Sequence, residues 1–208
     1  MQEYISKAVI KRLPRYYRYL GELESAGIER ISSEELSRIM KVTASQIRQD
    51  LNNFGGFGHQ GYGYNVETLK NEIASILGLE IPHQLIIIGG GNLGKAIAGY
   101  PKFAERGFHV NAIFDNDDSV VGDRAGEMTV RPMGELDEYV RTHPTDIAVL
   151  AIPKGAAAEI ADRLYGLGIK AFWNFAHVDL HLPDDAYSEN VHLSDSLMQL
   201  SYRLKHTN

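Results

Sequence analysis

A glycine-rich segment in the second half of the chain has the spacing of a phosphate-binding loop. Residues 89–94 read Gly-Gly-Gly-Asn-Leu-Gly, which matches the pattern G-x-G-x-x-G. In this pattern the first glycine permits a tight turn, the second lets a pyrophosphate approach the backbone, and the third lets a helix pack against a strand. These positions are Gly89, Gly91 and Gly94. The pattern alone is a weak signal, so its surroundings decide its meaning.

The sequence around the loop predicts a strand, a turn and a helix in the right order. The apolar run 85–88 is typical of a buried parallel strand, and apolar residues at helical spacing follow the loop. A second strand is predicted over 109–114 and ends in Asp115, close to the expected distance from the loop. Asp115 would accept hydrogen bonds from an adenosine ribose and repel a 2′-phosphate. The pattern therefore favours NAD(H) over NADP(H) as cofactor.

Two more strands extend the predicted parallel sheet. Residues 146–153 and 170–175 read as strands on either side of a helix over 155–167. Ligands bind at the carboxyl ends of such strands, where Asn174 could bond a nicotinamide carboxamide and Phe175 could wall the ring. Both could equally be structural residues at a strand end. The candidate nucleotide-binding residues from the loop and the strand ends are Gly89, Gly90, Gly91, Asn92, Leu93, Gly94, Lys95, Asp115, Ile152, Pro153, Asn174 and Phe175.

Two capping motifs in the first half of the chain predict a helix-turn-helix. Ser32 and Glu35 have the spacing of a capping box, and Thr43 with Gln46 repeats it a few residues later. Two short helices, each with its own cap and joined by a tight turn, are typical of this motif. Leu36 and Ile39 of the first helix are predicted to be buried.

The second of these helices carries polar side chains suited to DNA. Ile47, Leu51 and Phe54 are predicted to face the core, so polar residues face outward. Such side chains donate to phosphates and to base edges, although an ordinary solvated helix face has the same composition. The candidate DNA-contacting residues are Arg12, Ser45, Gln46, Arg48, Gln49, Asn52, His59 and Gln60.

A glycine-rich stretch after this helix predicts a hairpin wing. Five of the ten residues at 55–64 are glycines, and aromatic residues alternate with them. Aromatic side chains can pack across the strands of a tight hairpin. A hairpin behind a recognition helix is the wing of a winged helix, with His59 and Gln60 at its tip. A helix over 66–77, closed by Gly78, completes the unit.

Composition narrows the function classes. The net charge of −6 lies entirely in residues 81–208, because residues 1–80 hold ten basic and ten acidic side chains. The first 20 residues carry five basic side chains and one acidic one. This excess of positive charge fits an anion-binding surface, and it equally fits an ordinary solvated face of a basic helix. The chain has no cysteine, so a redox signal must enter through a bound molecule rather than a thiol. With no membrane-length apolar run and no signal-peptide pattern at its start, the protein is expected in the cytoplasm.

The segment after the sheet lacks the features of a catalytic or metal site. His177, Asp179 and His181 would share one face of a strand, but no further metal ligands accompany them, so no metal is expected. A small NAD-dependent oxidoreductase and a CoA-binding ligase-type subunit are the alternative functions. Leu197, Met198, Leu200 and Leu204 form an apolar stripe on a helix predicted over 194–205. That helix could pack on its own domain or on a neighbouring subunit.

Several stretches together resemble the bacterial Rex family of redox-sensing repressors over essentially the full chain. The matching stretches are 11–20 (Lys-Arg-Leu-Pro-Arg-Tyr-Tyr-Arg-Tyr-Leu), 43–51 (Thr-Ala-Ser-Gln-Ile-Arg-Gln-Asp-Leu), the wing at 56–64, the glycine loop with Lys95 and Ala96, Tyr100-Pro101 and Asn174-Phe175-Ala176. The resemblance implies an α/β protein with a winged-helix domain over 1–80, a doubly wound Rossmann domain over 81–190 and a dimerisation helix over 191–208.

The resemblance also implies a mechanism. Family members are expected to form homodimers with swapped C-terminal helices, to bind palindromic operator DNA when NADH is low, and to leave it when NADH binds. By resemblance, Tyr100 lies near the nicotinamide and Arg18 links the DNA-binding domain to the partner's nucleotide domain. The family places an aspartate opposite that arginine, and this chain has His192 there. A neutral histidine cannot form that salt bridge.

Overall fold

The computed structural model describes residues 6–52, the backbone of 58–59, and residues 63–206. The chain divides into two compact units, Met1–Ile81 and Pro82–Asn208. Each unit has a hydrophobic core of its own. Within the described ranges, no helix has the length and apolar character needed to cross a membrane.

The first unit is a helical bundle edged by a small sheet. Its helices are α1 (Lys7–Ile10), α2 (Leu13–Ser25), α3 (Ser33–Met40), α4 (Ala44–Asn52) and α5 (Val66–Ile76). Its strands are β1 (Arg30–Ile31), β2 (Gly58–His59) and β3 (Gly63–Asn65), and β3 pairs antiparallel with both of the others. The pairing of β2 with β3 confirms the predicted hairpin after α4.

Local sequence signals set the ends of these helices. The Ser32 hydroxyl accepts the Glu35 N–H and the Glu35 carboxylate accepts the Ser32 N–H, which completes the capping box of α3. Thr43 Oγ1 accepts the Gln46 N–H at 3.1 Å and caps α4. The turn between the two helices includes Lys41 in the left-handed conformation, with φ of 54°. The predicted helix-turn-helix is confirmed.

One predicted core position in α3 is wrong. Leu36 is fully buried as predicted, but Ile39 is 39% exposed and Met40 lies in the core instead. Positions i and i+4 share one helix face, and here that face points inward. Of the core residues predicted for α4, Ile47 and Leu51 are buried, while Phe54 lies outside the described residues.

The second unit contains a seven-stranded sheet with helices on both faces. Its strands are β4 (His83–Ile88), β5 (Phe108–Asp115), β6 (Arg124–Ala125), β7 (Met128–Pro132), β8 (Ile147–Leu150), β9 (Ala171–Asn174) and β10 (Tyr187–Asn190), in the order β10-β9-β8-β4-β5-β7-β6. All neighbours are parallel except β6 and β7. The helices are α6 (Asn92–Ala98), α7 (Leu136–Thr142), α8 (Lys154–Gly166) and α9 (Leu193–His206).

The central strand shows why the sheet is covered on both sides. Ile86 and Ile88 pack in one cluster with residues of α7 and α8, and Leu85 and Ile87 pack in another with Ile97 of α6. Successive side chains of a strand point to opposite faces of the sheet. A strand with a continuous apolar run therefore needs packing on both of its faces. The predicted α/β class is confirmed.

The sheet differs from the sequence prediction at its edges. The hairpin of β6 and β7 and the edge strand β10 were not predicted from the sequence. His177, Asp179 and His181 would share one face only in a strand, and residues 175–186 form no strand. The alternation that would have placed these three side chains on one face therefore does not apply.

Helix α9 presents its apolar stripe outward within the chain. None of its residues is buried, and Leu197, Met198, Leu200, Tyr202 and Leu204 are between 52% and 71% exposed. An amphipathic helix is stabilised chiefly by burying its apolar face, and the stripe of α9 is not buried within its own chain.

Candidate dinucleotide and DNA sites

The glycine loop connects β4 to α6 and depends on the absence of side chains. Gly89 has a φ of 108°, and a Cβ there would lie 2.3 Å from the Ala151 carbonyl oxygen. A Cβ at Gly94 would lie 1.8 Å from the Gly89 carbonyl oxygen, so only glycine lets α6 approach the strand. A Cβ at Gly91 would meet nothing within 4 Å. The first and third glycines are thus needed by the fold, and the second borders open space.

Asp115 at the end of β5 is in direct contact with the loop. Its Oδ2 accepts the Gly90 N–H at 2.6 Å, and its Oδ1 accepts the Asp117 N–H at 2.9 Å. The strand order explains this contact, because β5 is the neighbour of β4 and both end at the same edge. Lys95, one turn into α6, forms an ion pair with Asp123 at 2.5 Å. The loop and the acidic residue predicted from the sequence therefore come together.

The carboxyl ends of β8 and β9 hold the other predicted residues. Ile152 approaches the loop, since its Cγ2 lies 3.1 Å from the Cβ position of Gly89, and Pro153 is the N-cap of α8. Asn174 is fully buried, and its amide donates to the Val178 carbonyl and the Asn190 side chain while its Oδ1 accepts the Ala176 N–H. Asn174 was expected either to bond a nicotinamide carboxamide or to be structural at the strand end, and these contacts correspond to the structural role.

A row of aromatic rings leads from Tyr100 to Phe175. Neighbouring centroids are 4.8 Å apart for Tyr100 and Phe103, 5.6 Å for Phe103 and Trp173, and 4.7 Å for Trp173 and Phe175, all edge to face. Tyr100 is 45% exposed at one end of the row. Phe103 and Trp173 were not predicted as site residues. Strand alternation, which places Trp173 and Phe175 on one face of the chain, was the available signal.

A buried carboxylate joins α4 to α2 in the first unit. Asp50 is fully buried and binds the Arg12 guanidinium in a bidentate pair, with both bonds 2.6 Å long. The Tyr16 hydroxyl donates to Oδ2 at 3.0 Å, and the Gln46 amide donates to Oδ1 at 2.7 Å. No local pattern in the sequence indicated this network, in which two predicted DNA-contacting residues, Arg12 and Gln46, take part.

The network fixes the charge states of its members. Burial disfavours the charged form of Asp50, but hydrogen bonds from Arg12, Gln46 and Tyr16 outweigh that cost and hold its pKa below the usual range. Burial, together with the neighbouring carboxylate, raises the pKa of Tyr16 well above its ordinary value. The hydrogen bond to Asp50 likewise raises the pKa of Arg12. Asp50 is therefore an ionised acceptor and Tyr16 a neutral donor at neutral pH.

The other predicted DNA-contacting residues lie on or near the outer face of α4. Arg48 donates to the Ser33 hydroxyl at 2.9 Å and to the Glu34 carboxylate at 3.0 Å, with half of its side chain exposed. A hydrogen bond from the Glu34 backbone, followed by the bond from Arg48, lowers the pKa of Glu34. The exposed candidates are Ser45, Gln49 and Asn52. The side chains of His59 and Gln60 lie outside the described residues.

The two residues expected at an interdomain switch each have a partner inside their own unit. The Arg18 guanidinium lies over the Tyr19 ring, 5.1 Å from its centroid. The His192 ring stacks on His177 at 5.5 Å, with their Nδ1 atoms 3.4 Å apart. His192 immediately precedes α9, so this contact lies at the N-terminal end of the exposed helix.

A helix-turn-helix followed by a glycine-loop Rossmann unit defines a class of two-domain transcription regulators that respond to a nucleotide. Residues 4–52 match a family model described as "Putative DNA-binding protein N-terminus", and residues 80–178 match one described as "CoA binding domain". The structure is similar to that of RSP in complex with beta-NAD+ and operator DNA, with 53% identity, a TM-score of 0.90, and coverage of 98% of this chain and 94% of RSP. It is equally similar to RSP in complex with beta-NADH, at 51% identity, a TM-score of 0.90, and coverage of 98% and 95%.

Curated relatives identify the family. The redox-sensing transcriptional repressor Rex of Caldanaerobacter subterraneus subsp. tengcongensis is 56% identical over 96% of this chain and 89% of its own length. That of Clostridioides difficile is 52% identical over 97% of this chain and 96% of its own. The chain belongs to the Rex family of redox-sensing transcriptional repressors. The oxidoreductase and ligase alternatives are therefore wrong, because members of this family are repressors and not enzymes.

Proposed function

We propose that this chain binds palindromic operator DNA in the cytoplasm as a homodimer when NADH is low, and leaves it when NADH binds the Rossmann unit. The observation that carries this proposal is the open cradle at Gly91, next to an acidic strand end at Asp115, in a chain that also has a helix-turn-helix. The similarity to RSP, which has been crystallised with beta-NADH and with beta-NAD+ and operator DNA, supports it.

The residues around the glycine loop fit a dinucleotide. Backbone N–H groups at the start of α6 would face the pyrophosphate, and the carboxylate of Asp115 would accept hydrogen bonds from the adenosine ribose. Tyr100 and Phe175, at the two ends of the aromatic row, would lie beside the nicotinamide. Asn174 would support this wall from behind rather than bond the carboxamide, since its amide is already used by Val178 and Asn190.

Discrimination between the two redox forms must come from the nicotinamide half. NADH and NAD+ share the adenosine half, and their rings differ in charge and planarity. An apolar wall favours the neutral reduced ring, because burying the charged oxidised ring against apolar side chains removes the hydration of its charge. Regulation then requires only that NADH prefer the DNA-free arrangement. A shift from mostly bound to mostly free takes a preference of about 10⁴-fold.

Helix α9 is proposed as the dimerisation element. Its leucines are exposed within one chain, and a palindromic operator requires a two-fold dimer with matched recognition helices. Burying the stripe of α9 against a partner chain would supply the apolar packing that the helix lacks here. Substituting both Leu197 and Leu204 by aspartate should convert the dimer into a monomer, as measured by native mass spectrometry. A dimer of unchanged stability would contradict the assignment.

The DNA contacts are assigned to the outer face of α4. Arg48 would read a base edge or a phosphate after exchanging its bonds to Ser33 and Glu34, and Ser45, Gln49 and Asn52 would flank it. Arg12 is assigned an indirect part, because its guanidinium is paired with Asp50. His59 and Gln60 remain candidates for the wing. Lys95 and Asn92 are assigned to the nucleotide, and Arg18 and His192 to the contact that couples the two sites.

One titration tests the proposed function as a whole. DNA sequences are selected from a randomised library with the purified, nucleotide-free chain, and one of them is labelled for fluorescence anisotropy. NADH is expected to weaken its binding by at least tenfold, and NAD+ at the same concentration is expected to leave the affinity close to that of the free protein. An affinity that neither nucleotide changes, or a library from which nothing is enriched, would overturn the proposal.

A further inference from the structure

The orientation of one amide on the recognition helix is fixed by chemistry. Gln46 lies on α4, and its Nε2 is 2.7 Å from Asp50 Oδ1. A carboxylate only accepts hydrogen bonds, so the amide nitrogen must face Asp50 and the carbonyl oxygen Oε1 must point elsewhere. The hydrogen bonds to Asp50 keep its pKa low, which removes the protonated form that could have reversed the amide.

The carboxylate that orients Gln46 is itself held by another helix. Arg12, the residue before α2, and Tyr16, within α2, donate three further bonds to Asp50. Each carboxylate oxygen accepts two of these four bonds: Gln46 shares Oδ1 with Arg12, and Tyr16 shares Oδ2 with Arg12. Because these bonds hold the Asp50 carboxylate in place in the core, it cannot readily move to accommodate a rotated Gln46 amide.

Building on the proposed DNA-binding function, we propose that Asp50 is a positioning residue that sets the base preference of Gln46. One N–H of the Gln46 amide is used by Asp50, which leaves the other N–H and Oε1 as a donor and an acceptor in fixed order. Adenine offers the complementary pair, with N7 as acceptor and N6 as donor, whereas guanine offers two acceptors, N7 and O6. Gln46 in this orientation selects adenine, because Oε1 would face guanine O6 without a proton between them.

Base preference at single operator positions tests this assignment. DNA is selected from the same randomised library with each of four proteins: the wild-type chain, Gln46→Met, Asp50→Asn and Tyr16→Phe. Wild type should prefer adenine over guanine at one position of each half-site by about 10- to 100-fold, the range of one good bidentate contact. Gln46→Met should lose this preference and keep the others. Asp50→Asn should also lose it, because the asparagine amide can donate as well as accept and lets the glutamine amide turn over.

Tyr16→Phe separates positioning from stability. It removes a bond to Oδ2 and leaves the Gln46 bond to Oδ1 in place, so it should lower the melting temperature and retain the adenine preference. The proposal is overturned if Asp50→Asn keeps the preference, if Gln46→Met changes no position, or if Tyr16→Phe loses the preference while still folded. If the wild-type chain selected no sequence at all, the DNA-binding function itself would be overturned. That outcome is distinguishable, because base preference would then be absent at every position of the selected DNA and not at one alone.

A measurement without DNA covers the case in which Asp50→Asn does not fold. In the full-length protein labelled with ¹⁵N, the Gln46 side-chain amide is identified by its loss in Gln46→Met. The one Gln46 amide proton that is donated to Asp50 should exchange with water at least tenfold more slowly than the protons of the exposed amide of Asn52. Exchange as fast as that of Asn52 would show that Asp50 does not hold the amide, and would overturn the proposal.

Discussion

The two units position their functional groups by different physical means. In the first unit a charged residue, Asp50, is fully buried at the centre of a hydrogen-bond network that orients α4. The sheet of the second unit is packed by apolar side chains on both faces, and its site is shaped by glycines at the turn from β4 to α6. The first unit therefore uses side-chain charge, and the second uses the absence of side chains.

This difference predicts different ways of failing. A steric requirement such as that of Gly94 does not depend on pH or salt, and the smallest possible side chain already violates it. A network around a carboxylate weakens when its members titrate, so its contribution depends on pH. Variants and conditions that affect one unit and spare the other therefore test whether the two descriptions are correct.

The largest effect is expected from Gly94→Val. The added side chain would place its Cβ 1.8 Å from the Gly89 carbonyl oxygen, which is backbone and cannot move aside without opening the turn. NADH affinity measured by calorimetry should fall by at least 100-fold, while the nucleotide-free protein should still bind selected DNA. Gly155→Ala, in α8 with nothing within 4 Å of its Cβ position, is the matched control and should change neither property. A Gly94→Val protein that still binds NADH normally would refute the steric argument.

The buried network should make the first unit sensitive to acid and to alkali. The pKa of Asp50 is lowered in the folded state, so its stabilisation is present above the unfolded pKa of about 3.9 and is lost as pH falls below about 4. The pKa of Tyr16 is raised, so its stabilisation is present below about 10 and is lost as pH rises further. Arg12→Ala leaves a buried carboxylate without its cation and should cost about 3–5 kcal/mol at pH 7.

Two optical signals distinguish the units in this experiment. The chain has one tryptophan, Trp173 in β9, so tryptophan fluorescence reports on the second unit, whereas circular dichroism reports on both. Arg12→Ala should lower the denaturant midpoint seen by circular dichroism more than the one seen by fluorescence. Lys11→Ala, which removes an exposed neighbour, should change neither by more than about 0.5 kcal/mol. Equal unfolding free energies for Arg12→Ala and wild type would show that the ion pair does not stabilise the first unit.

Features specified by neighbouring residues could be predicted from the sequence, and those that depend on distant contacts could not. The capping box of α3 and the turn at Gly89 each depend on a few consecutive residues, and both occur where the sequence places them. The partner of Arg12 lies 38 residues away, so from the sequence Arg12 was only a candidate for contact with DNA, and its ion pair with Asp50 was not predicted. The bond of Asn174 to Asn190 depends on β10, which no local pattern indicated.

A smaller effect is expected at the outer face of α4. Arg48→Ala should weaken binding to selected DNA by about 1–3 kcal/mol, the range for an arginine at a base edge. Protein stability should change by less than about 1 kcal/mol, because the ion pair of Arg48 with Glu34 is about half exposed. Arg38→Ala, an exposed arginine on the preceding helix, is the control. The DNA affinities of Arg48→Ala and Arg38→Ala are measured by anisotropy titrations at one fixed salt concentration. Equal affinities for the two variants would remove Arg48 from the residues assigned to base reading.

The smallest effect is expected from Asp115, where both means of positioning meet. Its carboxylate accepts the Gly90 N–H and would also repel a 2′-phosphate. Asp115→Asn keeps an oxygen for the Gly90 N–H and removes the charge, so it should reduce the preference for NADH over NADPH by about tenfold with little loss of NADH affinity. Asp115→Ala should reduce both, because the loop loses its support. Asp118→Ala is the control, because it removes an exposed carboxylate that follows Asp117, the residue bonded to Asp115. It should leave the NADH affinity and the preference for NADH over NADPH unchanged. If Asp115→Asn discriminated against NADPH as strongly as wild type in calorimetry, the charge would have no part in selectivity, and the steric limits set by the glycines would have to account for it.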